Sequence, residues 1–422
     1  MSFEPEAQQQ TKTAKTDWMS ILQLVFSLMV FLSFLGGAVL LAAASNTFSA
    51  APELAGLNQG SLTLLVCAFA ALALLNLPSV VSSISSLASA GRPHNARASS
   101  QDADKKPGWF AWLLLSLFGA VLAGLYFLPE SKPQRDLLVG LLAVLGAVLP
   151  ALWLLRVGSG VLWGKYPKRH AGLLSFSIGF TTYFILLLEV AFIAVIGVLI
   201  ALAAVSSPQI LGKLSEIWLL LQSSGVESEA VRESLAEFAR TPLVLALIFG
   251  MVALALPMLE EGFKILGVWL LEDRKISPAE GWVAGLFSGA GFALVEALLN
   301  SAHLAGGSRS EWMTFLLGRF GGTLLHTLNG GLMGWALASS WQDKRRGRKL
   351  VVFLVVLLVH ALWNGAALAN VFFSGQTDNG LLGYLPMILL SAVLLVAFLL
   401  FTRRVQRAEA EFPENKAELS IS

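Results

Sequence analysis

The sequence predicts an all-α membrane protein, a bundle of about ten transmembrane helices with both termini in the cytoplasm. Hydrophobic residues make up 56% of the 422 residues and charged residues only 13%, whereas a soluble domain averages about 25% charged residues. Long apolar segments recur along the chain, and lysines and arginines cluster in alternate loops. We therefore predict a multi-pass protein of the cell membrane.

The predicted helices are apolar segments long enough to cross the bilayer, which takes about 20 residues for a helix. Backbone polar groups find no partner in hydrocarbon, so a segment that crosses it must be helical. The predicted spans are 18–44, 57–80, 108–128, 137–156, 172–204, 242–271, 279–303, 312–340, 350–373 and 380–402.

The orientation of the spans is predicted from the positive residues of the loops, which favour the cytoplasmic side. Clusters of lysine and arginine occur in loops 81–107, 157–171 and 341–349 and again after residue 402, whereas loops 45–56 and 374–379 have none. All of these loops fit one arrangement, in which both termini are cytoplasmic.

Composition also excludes several classes of function. The net charge is +2, and the basic residues form short clusters rather than one patch, so nucleic acid is not an expected partner. Cys67 is the only cysteine, which excludes a disulfide framework and a thiolate metal site.

The predicted organisation has five parts: a disordered tail (1–17), a five-helix membrane region (18–204), an extracytoplasmic amphipathic segment (205–241), a catalytic membrane domain (242–403) and a disordered cytoplasmic tail (404–422). Apolar residues at helical spacing among acidic ones predict one or two helices on the outer membrane face within 205–241. This segment is either an interfacial hairpin or a lid over a site in the second half.

Three charged residues lie inside the span 242–271: Glu260, Glu261 and Lys264. Each charge at the centre of a membrane helix costs about 2.5 to 3.5 kcal/mol on insertion scales. Lys264 is three or four residues from the carboxylates, so it reaches either of them and is interpreted as a counter-ion. Adjacent carboxylates in a low-dielectric site do not both ionise cheaply, and a general acid–base pair needs such an arrangement. Pro257 just upstream has no backbone N–H and therefore interrupts the helical hydrogen bonds at this point.

The next three spans carry further polar residues: Glu296, then His326 with Asn329, then His360 with Asn364 one turn later. At about 1.5 Å per residue, Glu261 and His360 lie on the order of 15 Å from the cytoplasmic ends of their spans, His326 about 20 Å and Glu296 about 25 Å. We therefore predict that they meet within the membrane. The two asparagines are interpreted as interhelical hydrogen-bond residues.

Two further features accompany this set. A face for close helix packing is predicted beside Glu296, where glycines recur every four residues: Gly281, Gly285 and Gly289. Glu189, isolated in the first half of the chain, is interpreted as structural.

The motifs Glu260-Glu261-x-x-Lys264, Phe292-x-x-x-Glu296, His326 in a glycine-rich helix and His360-x-x-x-Asn364 resemble, in order and spacing, the PrsW family of intramembrane proteases. The resemblance covers about residues 250–370. It implies a clan shared with the CAAX-processing membrane endopeptidases and the scaffold subunit of γ-secretase. It also implies cleavage of a peptide bond of a membrane protein, with anti-sigma factors as the best-known substrates.

The resemblance assigns five catalytic residues: Glu260, Glu261, Glu296, His326 and His360. Glu260 or Glu261 would polarise a water, the histidines would stabilise the oxyanion or protonate the leaving amine, and Glu296 would orient the water or a histidine. Carboxylates and histidines also suit Zn²⁺. However, no His-Glu-x-x-His helix occurs, so the prediction favours metal-free, glutamate-type chemistry without a cofactor.

Two other functions fit part of the pattern. Carboxylates and histidines at the membrane midplane also form proton relays in secondary transporters, but such carriers have internal repeats, and the polar residues here occupy only one half. A non-catalytic scaffold of the same clan is the second alternative, although a scaffold would be free to lose its glutamates.

Overall fold

The computed structural model describes residues 18–49, 59–89, 108–128, 135–225, 228–274, 276–343, 346–373 and 380–411. These residues form fifteen α-helices and no strand. The helices are α1 (Trp18–Ser49), α2 (Gln59–Ser89), α3 (Gly108–Phe127), α4 (Arg135–Ser159), α5 (Pro167–Phe176), α6 (Thr182–Ser206), α7 (Pro208–Ser224), α8 (Glu229–Ala239), α9 (Pro242–Phe249), α10 (Leu256–Phe263), α11 (Leu266–Trp269), α12 (Pro278–Asn300), α13 (Arg309–Asp343), α14 (Arg346–Phe373) and α15 (Gly380–Glu411).

The predicted all-α membrane bundle is confirmed: nine helical segments of the described chain are long and apolar enough to span a bilayer. The remaining predicted span, 312–340, lies within α13, which has 35 residues but is not among these nine. Its glycines, His326 and Asn329 lower its hydropathy, and they are buried against neighbouring helices rather than exposed to lipid.

Helices α12 and α13 make the most extensive helix–helix contact in the described chain. Helix α12 begins at a capping box, in which Ser277 accepts from the backbone N–H of Glu280 and Glu280 accepts from that of Ser277. The predicted glycine face lies in this contact. A Cβ atom on Gly281, Gly285 or Gly289 would overlap the backbone carbonyls of Gly334, Gly330 and His326 respectively. The two backbones therefore pack directly against each other.

Two predicted spans are not continuous α-helices. A π-helical turn, Ser177–Thr181, separates α5 from α6, and a second, Gly250–Ala255, separates α9 from α10. Pro257 follows the second π turn in the first turn of α10, where its missing N–H is tolerated best. Helix α10 then ends at Phe263. The span that carries the charged triplet is thus interrupted on both sides of it.

The segment 205–241 contains the two predicted amphipathic helices, α7 and α8. Ile217 and Phe238 pack together in a small core shared with Val244 of α9, whereas Trp218 is 61% exposed, as a lipid-facing residue at an interface would be. Lys213 joins the two helices, and its hydrogen bonds to Glu237 and Glu216 raise its pKa. The outer location of this hairpin stays a prediction.

Several helix boundaries differ from the predicted ones, and the ends of α2 and α15 differ most. Helix α2 continues to Ser89, into the predicted loop 81–107. Helix α15 continues to Glu411, so residues 404–411 are not the predicted disordered tail. Val405 is buried, and Glu409 accepts a hydrogen bond from Ser277 at 3.2 Å, which holds this end of α15 on the protein. The predicted tail residues 1–17 and 412–422 lie outside the described residues.

Candidate active site

The short helix α10 presents Glu260 and Glu261 to the interior of the bundle, where both are buried. The helix stops at once: Lys264 caps it, and Ile265 has φ −95° and ψ 10°, outside the helical region. The Lys264 carbonyl freed by this break accepts a hydrogen bond from the Ser288 hydroxyl of α12. Irregular backbone at membrane depth is tolerated where protein surrounds it, so the break fixes the charged triplet against α12.

Glu261 is held by three partners on one carboxylate oxygen. Its Oε1 atom accepts from Lys264 Nζ at 2.5 Å, from His360 Nδ1 at 2.7 Å and from Asn329 Nδ2 at 3.0 Å. Asn329 also donates to the carbonyl of Val356 on α14 at 3.2 Å. The second oxygen of Glu261 is buried and has no hydrogen-bond partner among the described residues. Glu261 therefore joins α10, α13 and α14, and fixes the His360 ring.

Glu296 fixes the ring of the second histidine, His326. Its Oε2 atom lies 3.0 Å from His326 Nε2, and its Oε1 atom lies 2.8 Å from an Arg319 guanidinium nitrogen. Sequence reasoning missed Arg319. The signal for it is the spacing of seven residues between Arg319 and His326, which puts both side chains on one face of α13.

Glu260 is the carboxylate of the three that lacks a close partner. Its Oε2 atom lies 3.9 Å from His326 Nδ1 and 3.7 Å from His360 Nε2. No hydrogen bond to its side chain occurs within the described residues. Polar groups that face each other across more than about 3.5 Å are commonly bridged by a water or an ion. The gap between Glu260 and the two imidazoles is of this kind.

The donor set around this gap fits a metal ion. One ligand atom each from Glu260, His326 and His360 lie within 4.8 Å of one another, and all three residues are buried. Carboxylate oxygen and imidazole nitrogen are ordinary ligands of Zn²⁺. Each histidine directs its other ring nitrogen at a carboxylate, Glu261 or Glu296. Metal-binding histidines typically have this second partner, which sets the ring tautomer.

Lys264 also approaches one of these histidines. Its Nζ atom lies 3.1 Å from His326 Nδ1, the ring nitrogen that faces Glu260, and 5.7 Å from the centre of the Phe292 ring. The Phe292 ring in turn packs edge-on against His326. Phe292 of the Phe-x-x-x-Glu motif therefore contacts the site one turn from Glu296.

The structure brings together all five predicted catalytic residues, and also Lys264 and Asn329. The two imidazole rings are 5.0 Å apart, and Glu261 contacts His360 directly. Asn364 does not join them: its amide donates to the carbonyl of Val252 in the second π turn, at 2.9 Å. There it supplies a donor to the interrupted backbone of the α9–α10 span.

The fold and the site define an integral membrane protein in which three carboxylates, two imidazoles and a lysine form one cluster, all of them buried except the half-buried Glu296. Residues 185–399 match the family described as "PrsW family intramembrane metalloprotease", and the chain belongs to this family. It is thus an intramembrane protease whose substrates are membrane proteins. Comparisons with the curated proteins and with the solved structures found no match.

Proposed function

We propose that this protein hydrolyses a peptide bond of a membrane protein inside the bilayer, with Glu260, His326 and His360 holding a divalent metal ion such as Zn²⁺. The observation that carries the proposal is the convergence of their ligand atoms within 4.8 Å at a buried position. The family description as metalloproteases supports the same assignment.

The chemistry divides between the ion and the protein. A bound Zn²⁺ would polarise the scissile carbonyl and supply a water that is nucleophilic at neutral pH. Glu261 and Glu296 hold the two imidazole rings in orientation through Nδ1 of His360 and Nε2 of His326. Lys264 balances the charge of Glu261, and Arg319 that of Glu296. A site fixed in this way does not reorganise during the reaction.

Metal-free, glutamate-type chemistry is the second candidate, and one contact favours it. Lys264 Nζ lies 3.1 Å from His326 Nδ1, the nitrogen that a metal would need. In this mechanism Glu260 takes the proton of the attacking water because it is the carboxylate without a close partner. The two imidazoles then stabilise the oxyanion and protonate the leaving amine. Glu260 is essential in both candidates, and Glu261 serves as support.

The substrate class follows the resemblance of the motifs to the family. We propose a membrane-anchored regulator, such as an anti-sigma factor, as the protein cleaved. The cell membrane is the proposed location, with the bundle in the orientation given by its basic loops.

The proposal is tested by comparing the membrane proteomes of cells that produce the wild type, Glu260→Gln, or Glu233→Gln as a matched control. Glu233 is an exposed glutamate of the α7–α8 hairpin. We expect a cleaved membrane protein in the wild type and in Glu233→Gln but not in Glu260→Gln. Equal fragments in all three strains would refute the protease site proposed here.

Metal analysis of the purified protein separates the two candidate mechanisms. The metal-binding site predicts about one zinc per chain, on the ligand count typical of catalytic zinc, with loss of the ion in His360→Ala and His326→Ala. Cleavage should stop with a chelator and return with Zn²⁺. Undiminished cleavage by metal-depleted protein would instead favour the glutamate-type mechanism.

A further inference from the structure

The exposed fraction of the side chains rises from one side of the site to the other. The Glu261 side chain is 0% exposed and that of His360 2%, whereas Glu260 is 11%, Arg319 26% and Glu296 35% exposed. The buried end lies against α14, and the exposed end lies where α12 and α13 carry Glu296 and Arg319. The site therefore opens on the side of the Glu296–Arg319 pair.

Helix α6 lies beside this opening. It packs against α10 and α12, and Phe184 of α6 contacts Phe263 of α10 edge-on at 5.3 Å between ring centres. Five residues after Phe184, α6 carries its only charged residue, Glu189. Glu189 lies on the half-buried face of α6, one turn after the fully buried Ile185, whereas Val190 beside it is 64% exposed. This face of α6 is therefore turned toward the protein, where α10 and α12 pack against the helix.

Glu189 also has no partner of its own. It is half-buried, and within the described residues it forms no hydrogen bond or ion pair. Glu296 has Arg319 at 2.8 Å, and Glu260 faces two imidazoles across 3.7 and 3.9 Å, whereas no cationic or imidazole group of the described residues pairs with Glu189. An unpaired carboxylate in a membrane helix is costly and marks a pathway or binding site by default. A structural role, as interpreted from the sequence, would require a group that holds the Glu189 carboxylate, and the described residues supply none.

We propose that water and substrate reach the site laterally, through an opening between α6 and the α12–α13 pair, and that Glu189 is a substrate-contacting residue in this opening. Its carboxylate accepts hydrogen bonds from donor groups of the incoming peptide, which is locally unwound before cleavage and so presents free backbone N–H groups. This inference rests on the proposed function, because it assigns the route to that site.

The route is tested by thiol labelling, which needs no known substrate. With Cys67→Ser removing the only native thiol, Glu189→Cys is compared with Val190→Cys, a neighbour that is 64% exposed on α6. The reagents are a cationic and an anionic methanethiosulfonate, both membrane-impermeant. Such reagents attack the thiolate, which forms only where water is present. A lipid-facing thiol is therefore protected even though it is sterically exposed.

The expected result is labelling of Glu189→Cys about tenfold or more faster than Val190→Cys, since only the first thiol is hydrated. The cationic reagent should react faster than the anionic one, because α10 and α12, which pack against α6, carry Glu260 and Glu296. Slow labelling at both positions, or equally fast labelling at both, would overturn the proposed opening. If Glu189→Cys fails to fold, Leu186→Cys, one turn earlier on the same face, provides the comparison.

The contact with substrate is tested on the cleavage identified with the Glu260→Gln strain. Glu189→Gln keeps an acceptor oxygen and should retain most of the cleavage rate, whereas Glu189→Leu should lower it about tenfold, the effect of about 1.4 kcal/mol. Equal rates for wild type and Glu189→Leu would refute the contact. The labelling result does not depend on catalysis, so failure of the opening is distinguishable from failure of the protease proposal.

Discussion

At the residue scale, the three carboxylates of the site differ in their partners. Glu261 accepts three hydrogen bonds on Oε1, and Glu296 is held by an arginine and a histidine. Glu260 faces two imidazole nitrogens across a gap of almost 4 Å. Sequence alone gives adjacent Glu260 and Glu261 equal standing. Their contacts make Glu261 a support for His360 and leave Glu260 available for chemistry.

The pair Lys264–Glu261 gives a prediction about stability, because both side chains are 0% exposed. Lys264→Met should destabilise the protein by about 3 to 5 kcal/mol, since it leaves a buried carboxylate without its counter-charge. Thermal unfolding in detergent measures this. The double variant Lys264→Met/Glu261→Gln should recover much of the loss. Lys213→Met should lower the melting temperature far less than Lys264→Met, because the ion pairs of Lys213 are exposed to solvent. A double variant no better than the single one would contradict this account.

At the element scale, the glycine face between α12 and α13 sets the position of His326. Gly289 meets the backbone carbonyl of His326 itself, with no room for a side chain. Gly285 and Gly281 repeat this contact against Gly330 and Gly334 along the same pair of helices. Small residues let membrane helices approach at backbone distance. The predicted packing motif is therefore also what brings a candidate ligand into the site.

Gly289→Ala should consequently reduce cleavage about 100-fold, because a displacement of about 1 Å in a catalytic group has an effect of this order. The matched control is Gly318→Ala on α13, where an added Cβ has no atom within 4 Å. That substitution should preserve cleavage. It should also stabilise the protein by about 0.4 to 1 kcal/mol, because alanine lowers the conformational entropy of the unfolded chain. Cleavage rates of the two variants, measured side by side, check the prediction. Similar cleavage rates for the two variants would contradict the prediction, because they would show that α12 and α13 can move apart without loss of activity.

At the scale of the whole molecule, α13 decides the topology. The nine segments that qualify as spans by hydropathy do not include it, yet its 35 residues pack lengthwise against α12. If α13 crosses the membrane as well, the described residues contain ten spans, and the two ends of the described chain lie on one side. If it does not, the termini lie on opposite sides.

We predict that reporters fused to the N-terminus and to the C-terminus both report the cytoplasm, because the basic loops and an even span number require it. Fluorescent-protein and alkaline-phosphatase fusions measure the side of each end. A third reporter in the α7–α8 hairpin should report the outer side. Termini on opposite sides would exclude α13 as a span and would contradict the predicted orientation.

The sequence by itself determined the fold class, the approximate positions of the helices and most of the residues that meet. Apolar length fixes where helices cross the bilayer, and a charge such as Glu260 inside one is too costly to be accidental. It also indicated the glycine face, since a spacing of four places Gly285 and Gly289 on one side of a helix. These features depend on the spacing of residues along the chain and on the lipid that surrounds the helices, and both can be read from the sequence.

Only the tertiary structure decided which groups touch. It separated Glu260 from Glu261, turned Asn364 toward the π turn, added Arg319, and placed Glu189 on the half-buried face of α6. It also broke the span around Lys264, where Ser288 satisfies the freed carbonyl. The physical reason is that hydrogen-bond partners and exposure depend on how helices rotate and cross. That arrangement is set by contacts between residues far apart in the sequence.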